Sequence, residues 1–250
     1  MAERYGNTGS VDPLLGIAAL CREYDMWMHV NGAFGASALL SDKYRKKLSG
    51  IELSDSLSWD AHKWMRQTYS CSVVLVRDKS RLVQSFAAHP EYLKDAETSE
   101  DNVEFWDLGP ELTRTAQGLK LWLTLQVLGK AEMGRTIEYG CHMAELAEKL
   151  IRESKGWEIV SPAQLGIVNF RYIADGTLSE KETDRINAEI SKEITESGFA
   201  QVFTTELRGK KVLRMCIINP ETTEQDICDT INRMKNSDAV DKISRLQESA

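Results

Sequence analysis

The stretch Ser56-Leu57-Ser58-Trp59-Asp60-Ala61-His62-Lys63-Trp64-Met65 sets a lysine beside a histidine, with a tryptophan on either side, just past a run that reads as a strand. A lysine held there is a candidate imine-forming amine, because burial lowers an amine's pKa and leaves more of it neutral and nucleophilic. Upstream, Trp27-Met28-His29-Val30-Asn31-Gly32-Ala33-Phe34-Gly35 has the form of a second strand that ends in a polar residue followed by small ones. Two strand ends can converge on one ligand. Taken singly, each residue also has a plain structural reading: Lys63 as a solvated lysine at a strand end, Asn31 as a turn residue, Ala33 as close strand packing and Asp60 as a strand-end cap.

Working outward, Leu14, Leu15, Ile17, Ala18, Leu20 and Cys21 recur with helical spacing behind Pro13, and the short apolar run at residues 26–30 follows. Residues 41–48 read as a polar surface helix closed by Gly50, residues 55–59 as the next strand, and residues 71–77, rich in β-branched side chains, as the clearest strand of all. Helices alternating with strands predict an α/β layer with a largely parallel sheet. Residues 87–110 turn acidic and lose periodicity, as an exposed loop does. A long helical pattern starts at Leu112, with Gly129 and Gly134 as interruptions, and a second helix covers residues 137–151. Beyond it, strands at residues 157–160, 167–172 and 212–218 and helices at 182–197 and from Thr223 predict a small α+β domain.

A chain of 250 residues with 42% hydrophobic content can bury a substantial core plus a smaller appended domain. Net charge is −7 and no long Lys/Arg block occurs, which argues against a nucleic-acid partner. The five cysteines are odd in number, scattered and free of C-x-x-C spacing, so neither a disulfide framework nor a zinc site is expected and a reducing, cytoplasmic setting fits. His29, His89 and His142 lack the mutual spacing of a metal site. No apolar run approaches the ~20 residues that span a bilayer, and the first residues do not begin a signal peptide, so no membrane association is expected.

The pair Trp27–Gly35 and Ser56–Met65 resembles the "HVDAA/HVDGA … DPHKW" signature of the group II pyridoxal-phosphate-dependent amino-acid decarboxylases. Leu108-Gly109-Pro110-Glu111-Leu112-Thr113-Arg114 resembles that family's "D-x-G-P-E-L-S-R" segment, and Leu213-Arg214-Met215-Cys216-Ile217-Ile218-Asn219 its "LR-x-CI-x-N" strand, so the likeness covers nearly the whole chain. The resemblance implies part of a fold type I large domain over residues 1–115 and a small C-terminal domain, with connector helix, over residues 116–250. It implies pyridoxal 5'-phosphate as cofactor, an L-amino acid as substrate and loss of its α-carboxylate as the reaction. By position, Lys63 carries the Schiff base, His62 lies beside the cofactor, Ala33 packs against its ring and Asp60 lies near its phosphate. Asn31 stands where the family carries an aspartate paired with the pyridine nitrogen.

The chain departs from the pattern in four places. It is about half the family's usual length, and the segment where relatives show "TAGTT" reads Ala2-Glu3-Arg4-Tyr5-Gly6. Asn31 replaces the aspartate, and no tyrosine occurs between Lys94 and Leu112, where many relatives carry a proton-donating one. Since the family's sites lie at dimer interfaces, the resemblance leaves three states open: an impaired decarboxylase acting as a homodimer, a non-catalytic scaffold that dimerises, and a half-enzyme that needs a complementing N-terminal half.

Overall fold

Val30 and Leu57 become neighbours because two short runs pair in parallel: β1 (His29–Asn31) lies beside β2 (Ser56–Asp60) in the register His29↔Ser56, Val30↔Leu57 and Asn31↔Ser58. The computed structural model describes residues 5–87, 104–176 and 178–248. By packing they divide into two units that interleave along the chain, one of residues 13–37 and 48–129, the other of residues up to 12, 38–47 and 130 onward.

In the first of these, α2 (Leu14–Glu23) follows Pro13, whose fixed φ suits a helix start, and leads to β1. The serine Ser56 ties the two strands at their beginnings: Trp27 Nε1 donates to its Oγ at 2.8 Å and His29 Nδ1 lies 2.8 Å from the same oxygen. After β2 the chain makes one turn of helix, α3 (Ala61–Trp64), and returns as β3 (Ser72–Val76), antiparallel to β2 with Asp60 opposite Ser72. The sheet order is β1-β2-β3, so the expected parallel pairing is that of β1 with β2, while β3 joins from the opposite direction. A short helix, α4 (Ser80–Phe86), follows. Trp64 and Met65 are fully buried beneath the turn, and Trp64 stacks on Phe34 at a centroid distance of 4.6 Å. The expected acidic loop falls largely on residues 88–103, outside the described residues.

The long helix α5 (Gln117–Arg152) passes from one unit to the other through Gly129, whose φ of 73° breaks the helical path. Only glycine adopts that conformation without strain. Gly134 does not interrupt the helix; a Cβ there would stand 2.6 Å from the carbonyl oxygen of Leu40, so the residue serves close packing. The polar helix expected over residues 41–48 is also corrected. A 3₁₀ turn at Arg45–Leu48 is found instead, because Ser41 and Tyr44 point inward: Ser41 Oγ donates to Glu138 and Tyr44 Oη to Glu145, each at 2.7 Å. Side-chain bonds of this kind compete with helix formation.

The second unit holds an antiparallel sheet in the order β4-β5-β7-β6, formed by β4 (Trp157–Gln164), β5 (Ile167–Tyr172), β6 (Phe203–Leu207) and β7 (Lys210–Cys216). It packs through Val168, Phe170 and Leu213 against Met143, Ala144 and Ile151 of α5, Ile186 and Ile190 of α6 (Glu180–Glu196) and Ile231 of α7 (Glu224–Lys235). Ser179 with Glu182, and Thr223 with Asp226, close capping boxes that fix where α6 and α7 begin. A last helix, α8 (Asp238–Glu248), adds Ala239, Val240 and Ile243 to the same core. Arg214 ties the chain's start to β7, donating to the carbonyls of Gly6 at 2.9 Å and Asn7 at 3.1 Å.

Candidate active site

The carboxyl ends of parallel strands are where α/β sheets gather ligands. Asn31 closes β1, and Asp60, His62 and Lys63 follow within four residues at the end of β2, so the topology brings both halves of the sequence signature to one rim. One helical turn carries Lys63 back over Asp60, placing Nζ 2.8 Å from Oδ2. The lysine side chain is 40% exposed and that of Asp60 is 18% exposed, so the pair sits half-covered, with the amine on the open side. The other carboxylate oxygen of Asp60 accepts a 2.6 Å hydrogen bond from Ser72 Oγ on β3. Burial alone would raise the Asp60 carboxyl; the hydrogen bonds from Lys63 and Ser72, with the positive charge beside it, outweigh burial and hold it below the usual carboxylate range.

His62 is anchored on its other side. Its Nδ1 lies 3.1 Å from the backbone N–H of Cys71, which donates to it, and its Nε2 stands 3.9 Å from Asp60 Oδ2. The Cys71 carbonyl, also 3.1 Å from Nδ1, already accepts from the N–H groups of Ala61 at 2.9 Å and His62 at 3.3 Å. Nδ1 is therefore best satisfied as an acceptor, which puts the ring proton on Nε2, toward Asp60. Tyr69, 87% exposed, sets its ring edgewise on the imidazole at a centroid distance of 4.5 Å.

Asn31 is exposed at the end of β1, and its Oδ1 accepts two bonds, from Ala33 N–H at 3.2 Å and from Ser58 Oγ at 3.4 Å. A backbone N–H can only donate, so the amide orientation is fixed: oxygen toward the chain, Nδ2 outward. Ala33 and Gly32 keep the rim low. A Cβ on Gly32 would stand 2.6 Å from Leu57 Cδ1 and 2.7 Å from Ala36 Cβ. Ser72, Tyr69 and the Cys71 backbone escape a reading of sequence alone. The signal for Ser72 is its cross-strand register with Asp60, which becomes visible once β2 and β3 are paired.

The rim thus offers a primary amine, a carboxylate, an imidazole and outward amide N–H groups. A family model, the pyridoxal-dependent decarboxylase conserved domain, matches residues 5–173, a span that includes every one of these groups. The chain belongs to the pyridoxal-dependent decarboxylase family. Among its relatives, the aromatic-L-amino-acid decarboxylase of Bacillus atrophaeus is 43% identical over 230 residues, 92% of this chain and 48% of the relative. The crystal structure of Oryza sativa TDC with PLP and tryptamine superposes with a TM-score of 0.86 at 28% identity, covering 95% of this chain and 49% of that one. Tryptophan decarboxylase of Catharanthus roseus, in complex with L-tryptophan, gives 0.82 at 26% identity over 94% and 49%. The chain therefore spans about half the length of the relatives it matches.

The family's cofactor is pyridoxal 5'-phosphate. The rim suits it in two respects: the Lys63 amine is of the chemical class that reacts with its aldehyde, and the amide N–H groups of Asn31 are of the class that can donate to a ring nitrogen. Among the described residues no group of three or more His, Cys, Asp or Glu is arranged to hold a metal ion, and no helix is long and apolar enough to cross a membrane.

Proposed function

We propose that this chain supplies the lysine-bearing part of a decarboxylase that converts an aromatic L-amino acid to its amine. The reading is carried by one observation: the half-exposed Lys63 amine stands at the carboxyl end of β2, flanked by Asp60 and His62, within the span that matches the family. The aromatic class is supported by the name of the Bacillus atrophaeus relative. When bound, pyridoxal phosphate supplies an electron sink for the pair released as carbon dioxide departs.

The chain's own residues divide the remaining work. Lys63 would hold the cofactor through Nζ. His62, held at Nδ1 by the Cys71 N–H, would lie beside it. Asn31 would offer its amide to the pyridine nitrogen, and Ala33 would leave room for the ring. Asp60 would lie toward the phosphate and anchors the lysine. Residues 1–115 belong, on this reading, to the large cofactor-binding domain and residues 116–250 to the small one. The five cysteines are all free thiols, which supports a reducing, cytoplasmic setting.

The experiment is to mix the chain with pyridoxal phosphate, reduce with borohydride and map the modified peptide by mass spectrometry. Attachment at Lys63, lost in Lys63→Ala, is the expected result; attachment spread evenly over exposed lysines would overturn the reading.

A second reading, a half-enzyme completed by a separate N-terminal half, draws on the three-stranded sheet. Among the described residues β1 and β3 each pair only with β2, and Val74 and Leu75 on β3 and Trp122 and Val127 on α5 are exposed apolar side chains. Open strand edges and exposed large apolar groups call for a covering partner. A homodimer of this chain is the other way to cover them, and sedimentation of the chain alone and with a relative's N-terminal half separates the two.

A further inference from the structure

We propose that Asp60 is a positioning residue for Lys63: its carboxylate parks the amine as an ion pair at the strand end and has to release it before any aldehyde can attach. The inference deepens the proposed function, which names Lys63 as the attachment point, and it rests on contacts made by this chain alone.

The carboxylate is a fixed object. Oδ1 takes the Ser72 hydroxyl at 2.6 Å, a bond set by the cross-strand pairing of residues 60 and 72, and Oδ2 takes Lys63 Nζ at 2.8 Å. Asp60 also occupies the residue before α3, where an aspartate ordinarily bonds the backbone N–H groups of the first helical turn, yet it makes no such bond. Its oxygens are committed sideways, to Ser72 and Lys63. His62 Nε2, 3.9 Å from Oδ2, stands beyond hydrogen-bond reach, so the lysine holds the nearer place on that oxygen. Facing this pair are His62 on the same turn, Ser72 and the Cys71 backbone from the β3 side, and Tyr69 across the imidazole.

The chemistry follows from the charge. An amine attacks a carbonyl carbon with its lone pair, so the ammonium ion has first to give a proton to solvent. The C–N bond then forms, the carbonyl oxygen takes up protons and leaves as water, and an imine remains. A carboxylate at 2.8 Å holds Nζ at one point on the rim, and the amine has to leave that contact before it can reach a carbonyl carbon. The structural device is a latch on the nucleophile, with Ser72 fixing the latch.

The test uses formaldehyde with cyanoborohydride on the folded chain, where hydride reduces the imine to a methylamine that peptide mass spectrometry counts at each lysine. Lys155, an exposed lysine, serves as the internal reference. Asp60→Asn keeps the shape of the carboxylate and removes its charge, and the Lys63 rate relative to Lys155 should rise about fivefold, the size set by a partly exposed ion pair. Asp60→Glu should return the slow rate, and Ser72→Ala, which leaves the pair but frees the carboxylate, should give a smaller rise. An unchanged or lower Lys63 rate in Asp60→Asn overturns the proposal. If that variant does not fold, absence of any rise in Ser72→Ala overturns it. Because the probe is formaldehyde, the result is independent of whether pyridoxal phosphate attaches: failure of the cofactor to label Lys63 would defeat the proposed function and leave the latch standing.

Discussion

Asn31→Asp is a substitution that should change charge and almost nothing else. Among the described residues only Oδ1 of Asn31 is used, accepting from Ala33 N–H at 3.2 Å and Ser58 Oγ at 3.4 Å. A carboxylate keeps both bonds and gives up only the outward Nδ2. Fold stability should therefore stay within about 0.5 kcal/mol, as at exposed sites away from special features. Toward the pyridine nitrogen the two residues differ in kind. The amide offers N–H groups and favours an unprotonated ring, whereas the carboxylate accepts from a protonated one. A hydrogen bond to a charged group is worth roughly 1.5–3 kcal/mol against roughly 0.5–1.5 for a neutral pair. Since Asn31 is exposed, a gain of about 1 kcal/mol is the reasonable size, or about fivefold in affinity. The assay is a pyridoxal phosphate titration followed by visible absorbance, with thermal melts of both proteins alongside. Equal affinity with equal melting would refute the role of position 31, and a large loss of melting temperature would refute the claim that Nδ2 carries no structural load.

Gly134→Ala in α5 sets two effects against each other. Helix propensity favours alanine by up to about 1 kcal/mol, but the new Cβ would stand 2.6 Å from the backbone oxygen of Leu40, which cannot swing aside as a side-chain tip can. Overpacking of roughly 1–3 kcal/mol should win, so urea melts should show net destabilisation, while Gly118→Ala in the same helix, with nothing within 4 Å, should show none. The unit built on the β4-β5-β7-β6 sheet should also lose stability in acid through Glu180, whose carboxyl is held down chiefly by the hydrogen bond from Arg171. A depressed folded-state pKa contributes stability that is complete above the unfolded value, near 4.5, and disappears as pH falls through the lower folded value. Arg171→Met should remove that part of the acid slope in melts recorded below pH 4.5, and an unchanged slope would refute the assignment.

Much of the fold was legible because burial imposes periodicity. Residues 167–172 read as a strand, and all six are buried in β5. The helix behind Pro13 is found, the one expected over residues 182–197 runs from Glu180 to Glu196, and the one expected from Thr223 runs from Glu224 to Lys235. What escaped carries a weak pattern. β6 is an edge strand with two of its five residues exposed and none buried, so no alternation marks it, and α4 buries no residue at all. The segment at 41–48 reads as surface helix because its lysines and Arg45 are conspicuous, while the decisive residues, Ser41 and Tyr44, turn inward to carboxylates about a hundred positions away.

The site divides along the same line. Lys63, His62, Asn31, Ala33 and Asp60 could be named as candidates because the two short runs that hold them resemble the family's signature. Their relations could not, since each depends on pairing between strands. That Asp60 faces Lys63 needs only one helical turn, but that the same carboxylate is pinned by Ser72 needs β3 in register with β2, and that His62 is held at Nδ1 needs the return of the chain at Cys71. The departure of Asn31 from the family's aspartate has the same character. As a letter it reads as a loss of charge; in the structure it is an amide whose oxygen is already committed, so what it presents outward is a donor. On the proposed function that distinction would decide which form of a pyridine ring the residue suits, and it comes from two hydrogen bonds, from Ala33 and Ser58, that the residue's type alone does not reveal.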